Sequence, residues 1–146
     1  MPDLTCKTVP VPIDFKAMLH RVVAEMFDED FTVEDATSSD DPSRPAVLVA
    51  SRLGQDRTAI IRASNVWMDA FIPELNVQTS VLDEDDVEQE KEDALRRLCL
   101  VMRAYLRGEG RIEQRRGLFR RGTIPVLSVE VDGQEWRLGR NHWTVR

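Results

Sequence analysis

The most unusual chemistry in this sequence lies in an arginine cluster near its C-terminus. Residues 115–122 read RRGLFRRG, so four arginines fall within seven positions around one leucine and one phenylalanine. The guanidinium groups would repel one another, which favours an external molecule that supplies anions. Arginine beside an aromatic residue is also typical of interface hot spots. The candidate partner-binding residues are Arg115, Arg116, Leu118, Phe119, Arg120 and Arg121.

Three interpretations of this cluster compete. Leu118 and Phe119 could enter the core while the arginines stay solvated or pair with the protein's own carboxylates. The cluster could instead dock on an acidic protein, including a second copy of this chain through residues 83–93. In the third, the arginines grip phosphate and Phe119 stacks on a base. The net charge of −6 argues against nucleic acid, because binders of polyanions usually present a net basic face.

An acidic cluster, Asp83-Glu84-Asp85-Asp86, raises the question of a calcium site. An EF-hand loop needs glycine at its sixth position, where this sequence has Glu88. Acidic residues at the start of a helix also interact favourably with its dipole and cap its free N–H groups. The cluster therefore predicts a helix N-terminus rather than a metal site.

The residues that catalysis would need are scarce. The sequence contains no P-loop, no G-x-G-x-x-G and no G-x-S-x-G motif. We expect His20 to be a solvated imidazole on the polar side of a helix, His142 to be structural or incidental, and Cys99 to be a small core residue. Cys6 and Cys99 stand too far apart to suggest a disulfide framework or a zinc knuckle. The sequence thus predicts no catalytic residue, no metal and no cofactor.

Charge is strongly segregated along the chain. Residues 1–95 carry 8 Lys or Arg against 21 Asp or Glu, whereas residues 96–146 carry 12 against 5. The first part has a net charge of −13 and the second of +7, which together give the total of −6. Segregated charge is suited to the steering and selection of a partner.

Periodicity supplies the elements that carry these residues. Apolar residues at helical spacing predict helices from Asp14 to Phe27 and from Asp85 to Arg107, and Lys91 falls within the stripe of the second. The polar stretch 38–45 predicts a mobile loop. Segments rich in β-branched and aromatic residues predict eight strands: 31–35, 46–53, 57–64, 66–72, 76–82, 111–116, 123–131 and 134–140.

The last two strands carry the clearest turn signal, because Asp132-Gly133 suits a type I′ turn. Counting outward pairs Val129 with Trp136 and Leu127 with Leu138, which makes one face of the hairpin apolar. We expect a single α+β domain over residues 1–146. Its antiparallel sheet has about six to eight strands, and both helices pack on one face, in the order helix, four or five strands, helix, three strands. The segment 115–122 then forms a basic hairpin tip.

These observations favour a non-catalytic protein-binding module of the adaptor, immunity or antitoxin-like, or secretion-chaperone kind. Its partner would be another protein or a second copy of the chain, and nucleic acid is the alternative. No run of eighteen apolar residues and no secretory signal pattern occurs, so we expect a cytoplasmic protein with no membrane partner.

Overall fold

The computed structural model describes residues 12–53, 56–116, 123–139 and 144–145. Helix α1 (Phe15–Met26) begins where Asp14 accepts a 3.0 Å hydrogen bond from the Ala17 N–H. Asp14 thus satisfies one of the free donors of the first turn. The helix buries Met18, Leu19, Val22 and Val23, four of the apolar residues whose spacing predicts it.

Five strands follow as an antiparallel meander in chain order: β1 (Phe31–Asp35), β2 (Ala46–Ser51), β3 (Thr58–Ala63), β4 (Trp67–Ile72) and β5 (Val77–Leu82). Residues 38–45 form the predicted loop between β1 and β2. Alternate side chains of β3, β4 and β5 are buried. This alternation defines an inner face of the sheet, which the core occupies, and an opposite open face.

Helix α2 (Glu88–Leu106) crosses the inner face and buries eleven of its residues. It begins later than predicted, at Glu88, and the residue at its N-cap is Val87, with no side-chain hydrogen bond. The prediction that the acidic cluster supplies the cap was wrong. Asp83 instead accepts the Asp85 N–H at 3.1 Å, and such an Asx turn keeps the chain out of the helix at this point.

The rest of the chain builds a second sheet from β6 (Arg111–Arg116), β7 (Thr123–Val131) and β8 (Gln134–Leu138). The hairpin of β7 and β8 has the predicted register, including Val129 opposite Trp136. Asp132 and Gly133 both have positive φ, at 52° and 78°, as a type I′ turn requires.

The expectation of one sheet was wrong in detail. A short strand β9 (Thr144–Val145) pairs in parallel with β5 and extends the larger sheet to six strands. A single bridge from Gln78 to Gly139 links β5 to the end of β8. Beyond this bridge the described strands of the two sheets do not pair, so the structure consists of a five-stranded antiparallel sheet with its short parallel addition and a separate three-stranded sheet.

Both helices pack on the inner face of the larger sheet, and their contact is rich in ion pairs. Arg21 of α1 binds Glu88 and Glu92 of α2, and Arg96 of α2 binds Glu25 of α1 at 2.8 Å. Charges that are separated in the sequence therefore neutralise one another between the helices. The open face of the sheet has no described helix on it.

Candidate functional site

Three adjoining grooves lie at the end of the sheet where both helices begin. The central groove has a volume of about 700 Å³ and lies on the open face. It shares Arg44, Val66 and Trp67 with a groove of about 600 Å³ beside the start of α1, and it shares Leu82 and Glu84 with an acidic groove of about 460 Å³ beside the start of α2. Volumes of this size are in the range of ligand-binding clefts.

Trp67 separates the central groove from the groove beside α1. It is the first residue of β4 and stands directly opposite Leu82 of β5. The turn before β4 is fixed by Ser64, whose hydroxyl donates to the Trp67 carbonyl at 2.9 Å. The side chains of Trp67 and Leu82 are half-buried on the open face, so they give the central groove an apolar wall.

The polar part of the central groove is an ion pair between neighbouring strands. Arg62 of β3 donates to Asp69 of β4 at 2.7 Å, and the two residues are opposite each other in the sheet register. The side chain of Asp69 is only 17% exposed, so Arg62 neutralises a carboxylate that is largely withdrawn from water.

The open face continues away from the groove as an apolar row. Leu48, Ile60 and Phe71 stand opposite one another on β2, β3 and β4, and all three are half-buried. An antiparallel sheet that faces water usually carries polar residues on that side. The open face is therefore more apolar than a solvent-facing sheet surface needs to be.

The acidic groove combines an apolar wall with several carboxylates. Its lining includes Asp83, Glu84, Asp85, Glu90 and Asp93. Carboxylate oxygens of Asp83, Asp85 and Glu90 come within 4.8 Å of one another, a donor set that suits a hard cation such as Ca²⁺. The sequence spacing excluded an EF-hand loop, but it did not reveal that Glu90 joins the two aspartates.

Within the described parts of the chain, three carboxylates that line this groove make no ion pair. They are those of Glu84, Asp85 and Glu90, and all three residues are exposed. The lining also includes one arginine, Arg97, which has an interaction partner of its own. The neighbouring acids are neutralised, since Glu88 binds Arg21 and Asp93 binds Arg96. Negative charge thus outweighs positive charge in this groove, beside the open face.

Lys91 lies fully buried beneath the acidic groove. Its ammonium group donates to the Asn65 carbonyl at 2.6 Å and to the Asp83 carbonyl at 2.8 Å, and its nitrogen lies 3.5 Å from the Asp83 carboxylate. These contacts tie α2 to the turn before β4 and to the end of β5. Lys91 therefore positions both the Trp67 turn and the acidic segment.

The arginine cluster predicted as the partner-binding site is only partly described. Arg115 and Arg116 are the last residues of β6, where the backbone pairs them with Ile124 and Thr123. Leu118, Phe119, Arg120 and Arg121 lie outside the described residues. The binding role of this cluster stays a prediction.

The predictions for the chemically reactive side chains had different outcomes. Cys99 is buried as expected, and burial raises the pKa of its thiol to about 12, which leaves it protonated at neutral pH. His20 is half-buried rather than solvated, and its Nε2 is buried without a hydrogen-bond partner in the described structure. His142 lies outside the described residues.

Sequence reasoning missed the central groove. A signal was present, because β4 reads WMDAFI and carries apolar residues on both faces. A strand that is apolar on both sides favours a cover on both sides. Position 69 interrupts this pattern with an aspartate, and its partner Arg62 could be identified only from the strand register.

Comparison with protein-family models, with curated proteins and with solved structures found no match for this chain. Neither described helix has the combination of length and apolar character needed to cross a membrane.

Proposed function

We propose that the chain is a non-catalytic protein-binding module that docks a short segment of another protein in the central groove of the open face. The observation that carries this proposal is a group of half-buried apolar side chains on that face, over which no helix of the described residues lies. The group consists of Trp67, Leu82 and the row formed by Leu48, Ile60 and Phe71. Apolar surface gathered in this way is typical of an interaction site.

Trp67 is the expected anchor of the interface. Tryptophan is enriched among the residues that dominate binding energy, especially where it lines a pocket that excludes water. Trp67 and Leu82 are neighbours on the wall of the central groove, with the ion pair of Arg62 and Asp69 beside them, and a bound segment would exclude water from this wall. An apolar side chain of the partner would fill the groove, and its backbone could hydrogen-bond to the polar groups around it.

The acidic groove defines the charge of the partner. Glu84 lines both this groove and the central one, so a segment that fills the central groove passes directly beside Asp85 and Glu90. Lysine or arginine at that end of the segment would meet the carboxylates of Glu84, Asp85 and Glu90, which form no ion pair within the described residues. Such pairs contribute mainly to orientation and to the rate of association.

The same charges disfavour nucleic acid on this surface, because unpaired carboxylates repel phosphate. The nucleic-acid alternative depends instead on the arginine cluster, so it is tested by substitutions in that cluster. A variant with Arg120→Glu and Arg121→Glu would lose affinity for a labelled single-stranded RNA at low salt if that alternative were correct.

The proposal is tested with short random peptides displayed on phage and selected on the immobilised full chain. The selected peptides are expected to combine an aromatic or aliphatic residue with lysine or arginine. Fluorescence anisotropy then compares variants: Trp67→Ala should weaken peptide binding by at least about tenfold, which corresponds to about 1.4 kcal/mol. Circular dichroism verifies that this variant is folded.

A second variant avoids the half-buried tryptophan. Glu84→Lys changes an exposed rim residue of both grooves and should also weaken binding, whereas the same reversal at exposed Glu109, which lines neither groove, should have no effect. Equal affinity of the native chain, Trp67→Ala and Glu84→Lys for the selected peptides would refute the proposal.

A further inference from the structure

Strand β6 forms one edge of the three-stranded sheet. The strand order is β6, β7, β8, so among the described strands β6 pairs only with β7. Within the described part of the chain no strand lies along its outer edge, so the backbone at this edge can accept another strand. Proteins usually shield such edges, because an unshielded edge invites pairing with a further chain.

The side chain of Ile112 shows that the core is incomplete at this edge. Ile112 stands opposite Leu127, which is fully buried, so it lies on the core-facing side of the sheet. It is nevertheless 41% exposed, one of the few large apolar side chains of the described structure that are exposed. A strand added beside β6 would cover it.

The charges around Ile112 are self-complementary. In an antiparallel pairing of two β6 strands centred on Ile112, Arg111 of each copy stands opposite Glu113 of the other. Within one chain these residues already form an exposed ion pair at 3.1 Å, with side chains 69% and 37% exposed. The pairing would thus replace the Arg111–Glu113 ion pair within each copy by two Arg111–Glu113 ion pairs between the copies. The two Ile112 side chains would contact each other on the core side.

We propose that two copies of this chain associate through antiparallel pairing of their β6 strands, which gives one six-stranded sheet across a two-fold axis near Ile112. The partner is a second copy because the register that joins the isoleucines also joins opposite charges. A two-fold arrangement closes on itself, as most soluble homo-oligomers do.

The β1 edge of the larger sheet fits a second copy less well. Strand β1 exposes Val33 to the same extent, 41%, but its exposed charges, Glu34 and Asp35, are both acidic. Two β1 strands would therefore bring together only negative charge. Pairing of β1 with β6 would leave one free edge at each end, and such head-to-tail contacts build open chains rather than a dimer.

Charge exchange tests the proposal by sedimentation of the full chain over a range of concentrations. Arg111→Glu and Glu113→Arg should each weaken dimerisation by at least about tenfold, because each places like charges opposite one another twice. The variant with both changes should regain most of the affinity. Lys16→Glu is the matched control, since exposed Lys16 lies on α1 and pairs with Asp35, away from β6.

Cross-linking tests the register independently. Residues directly opposite in antiparallel strands have Cα atoms about 4.5 to 5.5 Å apart, within the range that a disulfide spans. In a Cys6→Ser background, Ile112→Cys should form a disulfide-linked dimer under mild oxidation, whereas the equally exposed Val33→Cys should not.

A chain that stays monomeric at high concentration would overturn the proposal. A dimer that is insensitive to Arg111→Glu and fails to cross-link through Ile112→Cys would also overturn it. The groove variant Trp67→Ala should leave dimerisation unchanged, so this proposal and the proposed function can fail separately.

Discussion

Replacement of Lys91 by methionine probes how the groove is held in place. Methionine fills a similar volume but removes the ammonium group that binds the carbonyls of Asn65 and Asp83. Both carbonyls belong to the backbone and cannot leave the site, so the substitution leaves acceptors without their donor. The site is fully buried, and water cannot easily replace the lost contacts.

The magnitude follows from the contacts. Hydrogen bonds to a charged group contribute about 1.5 to 3 kcal/mol each, and removal of one partner from a buried charged site costs about 3 to 5 kcal/mol. We expect Lys91→Met to lower the free energy of unfolding by about 3 to 5 kcal/mol. Asp83→Asn should cost less than Lys91→Met, about 1 to 3 kcal/mol, because both carbonyls remain while the buried ammonium group loses the more distant carboxylate, at 3.5 Å.

Urea unfolding followed by far-UV circular dichroism measures these differences. The control is Gln89→Met, which introduces the same side chain at an exposed position of the same helix and should change stability by less than about 0.5 kcal/mol. A loss below about 1 kcal/mol for Lys91→Met would contradict the account of this lysine as the tie between α2, the turn before β4 and the end of β5.

Three further outcomes follow from individual side chains. The hydrogen bond from Arg96 lowers the pKa of Glu25 below its ordinary value of 4.5. The ionised Glu25 therefore adds stability at neutral pH, and this stability is lost as the pH falls through the lowered pKa. Glu25→Gln should accordingly lower the urea midpoint at neutral pH but not in strong acid. Burial raises the pKa of the Cys99 thiol from 9.0 to about 12, so over this pH range the thiol ionises in the unfolded chain but not in the folded one. Part of the free energy of unfolding should therefore be lost as the pH rises from 9 to 12, and Cys99→Ala should lose less of it. Gly110→Ala should cost about 1 to 3 kcal/mol in urea unfolding, because φ is +96° and the new Cβ would lie 3.1 Å from the Ser128 carbonyl.

Each of these outcomes has its own control. Gly133 has a φ of +78° but open space around its Cβ position, so Gly133→Ala isolates the backbone cost from the steric cost at Gly110. An equal loss for the two variants would contradict the steric argument. An equal effect of Glu25→Gln at neutral and strongly acidic pH would contradict the role of its charge, and an unchanged alkaline profile for Cys99→Ala would contradict the role of thiol burial.

Local signals predicted the elements well. The register of β7 and β8 follows from two residues, Asp132 and Gly133, because a two-residue turn fixes every pair outward from it. The apolar stripe of α1 and its cap at Asp14 also involve only near neighbours in the chain. Such features depend on backbone preferences that short segments already express.

Features that depend on distant residues could not be predicted in this way. The helical spacing placed Lys91 within the apolar stripe of α2, but it could not identify the groups that accept hydrogen bonds from the buried ammonium group. Those acceptors come from Asn65 and Asp83, which only the folded sheet brings to the helix. The parallel pairing of β9 with β5 likewise joins Thr144 to Val81 with no turn to fix the register.

The candidate site illustrates the same limit. The arginine cluster stood out because its residues are adjacent in sequence, whereas the central groove gathers residues from positions 44 to 84. Its polar pair, Arg62 and Asp69, belongs to two strands and becomes recognisable only when the register is known. Sequence reasoning therefore favoured a contiguous motif over a surface assembled by the fold.

The central claim is that a partner protein binds the open face, and nuclear magnetic resonance tests it most directly. A selected peptide is added to the isotopically labelled full chain, and the backbone amide and tryptophan indole signals are followed. The account predicts that the largest shifts fall on the Trp67 indole and on the amides of Arg62, Asp69 and Leu82. Shifts confined to the solvent-facing sides of α1 and α2, with Trp67 unchanged, would contradict it.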